Sequence, residues 1–393
     1  MINGLELYKT KWNIQTANDI KPGLEAVTSA LAELNNPHRS GKFVHIAGTN
    51  GKGSTAALLG AILREHGWTV GHFYSPAIVD VHDQIQLDGQ AIPEAELHSI
   101  MERLAALETA LTDFELLTVA AFVFFKQQAP DIAIIEAGMG GLLDSTNVIN
   151  PEVAIIPTIA MEHTNFLGDT MEEIARHKAG IIKKWKPVIV GDVPEEAWNV
   201  IEQTANRLHS DLIRPKQPVK VEMKLKGPHQ LHNARLAWEA AKELLLLDFD
   251  EQKAEQALSE ATIPNRFEEV VPNVFFDGAH NPASTEALVE TIRQQLPDKK
   301  IHIVMGLLKD KDYISILRKL ETVGDRFTFL EFDNERAMPA EKLFEENQCK
   351  IKTIQNGYDI LPVLNENEAT IVTGSLYLLT DIRKRNWSYF KKG

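Results

Sequence analysis

"FVHIAGTNGKGSTAALLGAILREHG", Phe43 to Gly67, decides the fold. "FVHIA" (Phe43–Ala47) reads as a buried strand, and Ser54–His66 as a helix stopped by Gly67. Between them, "GTNGKGS" looks like a phosphate-binding loop with altered spacing. The usual loop has four residues between its first glycine and the Gly-Lys pair, then Ser or Thr directly after the lysine. Here only Thr49 and Asn50 separate Gly48 from Gly51 and Lys52, and Gly53 moves Ser54 back by one. A bare strand-to-helix turn is the alternative, but the physical parts of a phosphate site are all present. Three glycines let backbone N–H groups turn inward, and the helix N-terminus adds partial positive charge. Lys52 can bridge β- and γ-phosphates, and Ser54 or a nearby hydroxyl can reach a metal.

Working outward, short apolar runs alternate with helical patterns. "TVGHFY" (Thr69–Tyr74), "IAII" (Ile132–Ile135), "VAII" (Val153–Ile156) and "PVIV" (Pro187–Val190) read as strands. "IQLDGQAI" reads as a hairpin turning at Asp88-Gly89. Continuous apolar strands separated by helices imply a mostly parallel sheet covered on both faces. From about Pro228 to Glu260 the chain reads as helices, followed by a turn-like "IPNRFE" (Ile263–Glu268). "NVFF", "IHIVM", "RFTFLEF" and "ATIVTG" are then strands between helical stretches. The expected fold is therefore α/β throughout: a P-loop-type nucleotide domain over residues 1–264 and a smaller Rossmann-like α/β domain over 265–393.

The totals bound the function. A chain of 393 residues is long for one core, so two domains are expected. No run of about 18 apolar residues offers a membrane span, and "MINGLELYKTKW" has no signal-peptide core. The single cysteine, Cys349, excludes an intramolecular disulfide and a cysteine-based zinc site, and it suits a reducing cytoplasm. A net charge of −14 argues against nucleic acid or anionic lipid as partner. Anionic ligands would need positive charge supplied locally, by a metal or a few placed Lys and Arg.

In parallel sheets ligands sit beyond the carboxyl ends of the strands. Ser75 follows one strand, Glu136 another, and His163 a third, in "IAMEHTNFLG". Singly, Glu136 could cap a helix and His163 could be a loop histidine. Their shared position favours a divalent-cation site completed by nucleotide phosphates. "TMEEIARHKAG" (Thr170–Gly180) is a helix with a Thr170–Glu173 capping box. By composition, Lys178 is an ordinary helix lysine near a C-terminus that favours cations.

Together these pieces resemble the folylpolyglutamate synthases of the Mur ligase superfamily. The resemblance spans nearly the whole chain: "HIAGTNGKGSTAALL", "YSPAI", "DIAIIEAGMGG", "LDSTNVI", "EHTNFLG", "HKAGII", "HQLHNARLA", "PNRFE", "DGAHNP", "GLLKDKD" and "TGSLYLL". It implies an ATP-dependent amide ligase that activates a folate carboxylate as an acyl phosphate and joins it to L-glutamate. It implies an ATP-binding domain over 1–264 and a glutamate-binding domain over 265–393. ATP would meet Asn50, Gly51, Lys52, Gly53, Ser54, Asn233, Arg266 and Asp277. Two Mg²⁺ ions would be held by Ser54, Ser75, Glu136, His163 and Lys178, the lysine as a carbamate. Lys52, His163, Lys178 and His280 would serve catalysis, with Asn281 in the same motif as His280. Phe114, Glu115, Leu143, Asp144 and Ser145 would lie on the pterin side. The expected partners are small molecules only, ATP, a reduced folate and L-glutamate, acting on a cytoplasmic monomer.

The sequence departs from the common family form at four places, three of them on the acceptor side. Ala77 stands in "SPAI" where a histidine is usual, "HDQI" (His82–Ile85) replaces Asn-Glu-Arg-Ile, and Leu142 replaces an arginine. The ATP and metal motifs are untouched, so the departures bear on the acceptor. Loss of a histidine and an arginine on that side, with "HKAGI" in place of the commoner Glu-Lys-Ala-Gly, favours an enzyme that lengthens the glutamate tail. The alternative also makes dihydrofolate from dihydropteroate. A cell-wall ligase of the same superfamily would carry an extra N-terminal domain, and a guanine-nucleotide switch would carry Asn-Lys-x-Asp; neither is seen.

Overall fold

The computed structural model describes residues 2, 4–17, 23–77, 79–215, 219–358 and 366–390, with side chains to 385. Ile78 of "YSPAI" lies outside the described residues. The chain divides into two compact units: Met1–Glu222 with Leu231–Ala261, and Met223–Gln230 with Thr262–Gly393.

The first unit is built on strands β1 (Phe43–Ile46), β2 (Val70–Phe73), β3 (Ile85–Leu87), β4 (Gln90–Ala91), β5 (Ile132–Glu136), β6 (Val153–Ile156), β7 (Val188–Val190) and β8 (Leu212–Ile213). Their order is β4-β3-β2-β5-β1-β6-β7-β8. The six strands β2, β5, β1, β6, β7 and β8 run parallel, and the β3–β4 hairpin adds an antiparallel edge. The hairpin turns where expected: Asp88 and Gly89 have φ of 51° and 80°, the left-handed pair of a type I′ turn. Central strands are buried at every position, as runs of Val, Ile and Ala require when helices cover both faces. The helix Asp113–Gln128 is apolar nearly all round and buried with Leu116, Phe122 and Phe124 in the core beneath β2 and β5.

The second unit carries β9 (Glu268–Val271), β10 (Val274–Phe276), β11 (Lys300–Met305), β12 (Arg326–Leu330), β13 (Lys352–Gln355) and β14 (Glu368–Thr373). The order is β13-β12-β11-β14-β10-β9, parallel except for β9. Three strands absent from the sequence reading, β8, β9 and β13, are all edge strands. They are short and partly exposed, so they lack the apolar runs that mark central strands. Among the described residues, no helix is long and apolar enough to cross a membrane.

Candidate active site

The loop after β1 is fixed before any ligand arrives. The helix begins at Lys52, two residues earlier than the expected Ser54, with Gly51 as its left-handed cap at φ 83°. A β-carbon at Gly51 would come within 2.5 Å of the Asn233 amide oxygen, so only glycine fits. This also brings Asn233, from the helix Pro228–Leu245, to the loop. Thr158, just past β6, stitches the loop from the other side. Its hydroxyl accepts from Asn50 N at 3.0 Å and donates to Asn50 O at 3.0 Å, and its carbonyl accepts from Thr49 N at 2.9 Å. The signal for Thr158 is a hydroxyl that only Pro157 separates from the end of an apolar strand.

Lys52 folds back over its own loop, donating to Gly48 O at 3.1 Å and Thr49 O at 3.4 Å. Its ammonium is 3.8 Å from the Glu136 carboxylate. Glu136 is the last residue of β5, level with Ile46 of β1, and it is 5% exposed. Its other oxygen lies 3.3 Å from where a β-carbon of Gly53 would stand. Lys52, Gly53, Asn233 and Glu136 are thus gathered at the carboxyl end of β1 and β5, and Ser54 is buried on the same helix turn. Glu136 also raises the phenol pKa of Tyr74, the residue before Ser75, after the larger effect of burial.

Lys178 lies in the helix Met171–Ala179, whose N-terminus carries the expected Thr170–Glu173 capping box. It is 3% exposed. Burial first, then the Lys52 ammonium, lowers its pKa to about 7, against opposing attraction from Glu162 and Asp144. Lys178 therefore belongs to the same electrostatic neighbourhood as Lys52. His163 caps a four-residue helix at φ 53° and sits 3.9 Å from Glu162. Its side chain is 39% exposed.

The segment carrying Lys178 is zipped to the glycine-rich stretch after β5. Leu142 N donates to His177 O at 2.7 Å. Asn147 Nδ2 donates to Leu142 O at 3.0 Å and Gly180 O at 3.2 Å, and Asn147 Oδ1 accepts from Lys183 at 2.8 Å. Gly180 ends the helix with an ordinary φ of −61°, so it is not there for a left-handed turn. It is there because a β-carbon would fall 2.4 Å from Leu142 Cα. Asn147 and Lys183 were not singled out from sequence.

The pterin-side candidates divide into two groups. The Phe114 ring packs against Gly138, where a β-carbon would be 2.7 Å away, and stacks on Phe73. Leu143 is 41% exposed. Ser145 Oγ is 2.9 Å from Thr118 Oγ1. The carboxylates, by contrast, are occupied. Glu115 closes a capping box with Thr112, accepting from its N and hydroxyl at 2.8 Å each. Asp144 accepts from Met139 N at 2.8 Å and from Thr146 N and Oγ1. Burial raises the Asp144 pKa, and these donors oppose the rise.

In the second unit, Asp277 Oδ2 accepts from Phe267 N and Oδ1 from Ala279 N, both at 2.9 Å. Burial raises its pKa, against the Arg266 charge. His280 Nδ1 donates to Gly278 O at 2.9 Å. Asn281 is the N-cap of the helix Pro282–Gln295, accepting from Ser284 N. Arg266 lies against Gly278, where a β-carbon would be 2.6 Å from its Nη1.

Residues 46–194 match the Mur ligase middle domain, and 265–376 match the Mur ligase glutamate ligase domain. A Bacillus subtilis protein named dihydrofolate synthase/folylpolyglutamate synthase is 34% identical over 93% of this chain and 95% of its own. The chain belongs to the folylpolyglutamate synthase/dihydrofolate synthase family. Members are ATP-dependent ligases, and this chain has their two-part α/β fold. The structure of Escherichia coli FolC in complex with DHPP and ADP superposes at a TM-score of 0.88 with 28% identity, over 98% of both chains. The bifunctional synthase of Yersinia pestis, complexed with AMPPNP and a Mn ion, gives 0.85 and 28% over 97% of both.

Proposed function

We propose that this family member is a folylpolyglutamate synthase, adding L-glutamate to the γ-carboxylate of a reduced folate at the expense of ATP. The observation that carries it is the Lys52–Glu136 pair beside buried Lys178, on a glycine-rich loop built for phosphate. A carboxylate is a poor electrophile because oxide would have to leave. Transfer of the γ-phosphoryl group to a carboxylate oxygen yields an acyl phosphate and ADP. The glutamate amine then attacks the carbonyl carbon, loses a proton, and phosphate departs. Bringing anions together needs cations, and Lys52 with the N–H groups of the helix beginning at Lys52 supplies them on one side. Arg266, read as a phosphate contact, would supply another.

Divalent cations would be held at two sites by Ser54, Ser75, Glu136, His163 and Lys178. The donors fit: Glu136 is buried beside the loop, and a Lys178 amine with a pKa near neutrality is free to add CO₂ as a carbamate. No three of His, Cys, Asp and Glu cluster among the described residues, and phosphate and carbamate oxygens would have to complete the shell. When bound, the cations neutralise the transferring phosphoryl group. Asn50 and Asn233 border the nucleotide, and Asp277 and His280 shape the loop that bears Arg266. Phe114, Leu143 and Ser145 face the folate, while Glu115 and Asp144 act by fixing the helix end and loop around it. The enzyme works as a cytoplasmic monomer on small molecules alone.

The Bacillus subtilis relative's two-part name favours a second reading, in which dihydropteroate is also an acceptor. Ala77 is half-buried and Leu142 is 40% exposed; neither offers a charge to that acceptor. Product mass decides. Purified protein with Mg-ATP and L-glutamate receives either a reduced folate or 7,8-dihydropteroate. Glutamate gain on the folate alone is expected. Gain on both makes the enzyme bifunctional, and gain on neither removes the substrate assignment.

A further inference from the structure

Arg266 sits on a turn that should not hold itself. Its neighbours Asn265 and Phe267 have φ of 60° and 46°. Asparagine tolerates the left-handed region, but a bulky aromatic residue there is an outlier. The turn is pinned from three directions. Asp277 accepts from Phe267 N at 2.9 Å, and Gly278 N donates to Asn265 O at 2.9 Å. Glu268 accepts from Asn265 N at 2.7 Å. The third pin comes from far along the chain: Arg383, in the helix Leu376–Phe390, donates from Nε at 3.1 Å and Nη2 at 3.0 Å to the Asn265 side-chain oxygen. The same guanidinium binds the Glu268 carboxylate and lies 5.3 Å over the Phe276 ring. Arg383 is 6% exposed and Asn265 is fully buried.

We infer that Arg383 is a positioning residue of the ligase: by gripping Asn265 and Glu268 it holds the Asn265–Arg266–Phe267 turn, and so aims the Arg266 guanidinium at nucleotide phosphate. The inference rests on the reading of Arg266 as a phosphate contact. A two-pronged grip on one amide oxygen, with a third bond to a carboxylate, needs the planar fork of arginine; lysine cannot reproduce it. Replacing Arg383 alone would take its donors from the buried Asn265 oxygen and the Glu268 carboxylate, so stability falls too and only kinetics separate the two roles. The "TGSLYLL" resemblance stops four residues short of Arg383, so no motif marks it.

The test is a double-mutant cycle on the full chain. Arg266→Ala, Arg383→Met and the double variant are compared for kcat/KM of ATP and KM of glutamate, with melting curves to confirm folding. Arg383→Met is expected to lower kcat/KM for ATP about tenfold, the worth of a hydrogen bond to a charged group, with KM for glutamate unchanged. In the Arg266→Ala background the same change should cost less than about twofold. Adding Asn265→Gly, which holds a positive φ unaided, should restore part of the loss in Arg383→Met. Equal losses in both backgrounds would reduce Arg383 to a structural residue and overturn the inference. A folded Arg383→Met with unchanged ATP kinetics would do the same. If Arg266→Ala itself leaves ATP kinetics intact, the phosphate reading of Arg266 fails first and takes the inference with it. Should Arg383→Met not fold, Arg383→Lys replaces it, with the same non-additivity expected.

Discussion

A lysine 3% exposed is costly as an ammonium, and a second ammonium nearby adds to the cost. A pKa lowered to about 7 leaves a substantial neutral fraction of Lys178 near pH 7, and the neutral amine is the form that can add CO₂. Lys178→Ala should therefore cut kcat by about 10²–10³-fold, the scale of losing one charge-stabilising group, while ATP affinity stays within about threefold. Turnover assays with calorimetric ATP titration check this; a near-normal rate would remove Lys178 from the machinery. At this scale the sequence was readable where charge stood out against an apolar run, as at Glu136 and Lys52. It was not readable where a carboxylate's partners come from the fold. Asp144 and Asp277 each accept from two backbone N–H groups, partners that only the fold supplies. Glu115 is different. Thr112 and Glu115 have the same spacing as the Thr170–Glu173 capping box, so this bond is legible in the sequence.

Elements were legible where a helix or central strand has its own pattern. The strand–loop–helix around Lys52 and the Asp88-Gly89 hairpin follow from local chemistry. The zipper between the stretch after β5 and the end of the Lys178 helix does not, because its bonds join backbone atoms about 35 residues apart with Asn147 as the clasp. Gly180 is its tightest point. Gly180→Ala would place a β-carbon 2.4 Å from Leu142 Cα, a backbone atom that cannot swing away. The helix end must shift, so the expected cost is about 1–3 kcal/mol of stability, typical of overpacking. Because Lys178 lies two residues earlier, kcat should fall about tenfold or more with ATP affinity retained. Urea titration and steady-state kinetics on the same sample test both halves. A stability loss without a kcat loss would show that the zipper does not position Lys178.

Across the whole molecule, two α/β sheets could be read from alternating patterns, but the assignment of Met223–Gln230 to the second unit could not. That segment's neighbours, such as Thr291 beside Gly227, lie far along the chain. Buried histidines give both units a shared response to acid. In the first, burial lowers His45 and His72 to about 3; in the second it lowers His302 to about 4. His72 is wedged under Gly60 and hydrogen-bonds Ala56 O at 3.2 Å, while its Nδ1 has no partner to gain from protonation. Unfolded histidine titrates near 6.5. Between about pH 3 and 6.5 the unfolded chain therefore binds more protons than the folded one, and stability falls as pH falls through that window. Above about 6.5 both states are neutral and nothing is lost. At pH 5 each fully buried histidine should cost about 2 kcal/mol. Carboxylates add their own slope, so the difference between variants is the clean quantity. His72→Leu keeps an apolar fill and cannot titrate. Urea unfolding at pH 7 and pH 5 should show wild type losing about 2 kcal/mol more than this variant. An equal loss would mean that His72 is not held neutral in the fold, and that the acid response lies elsewhere.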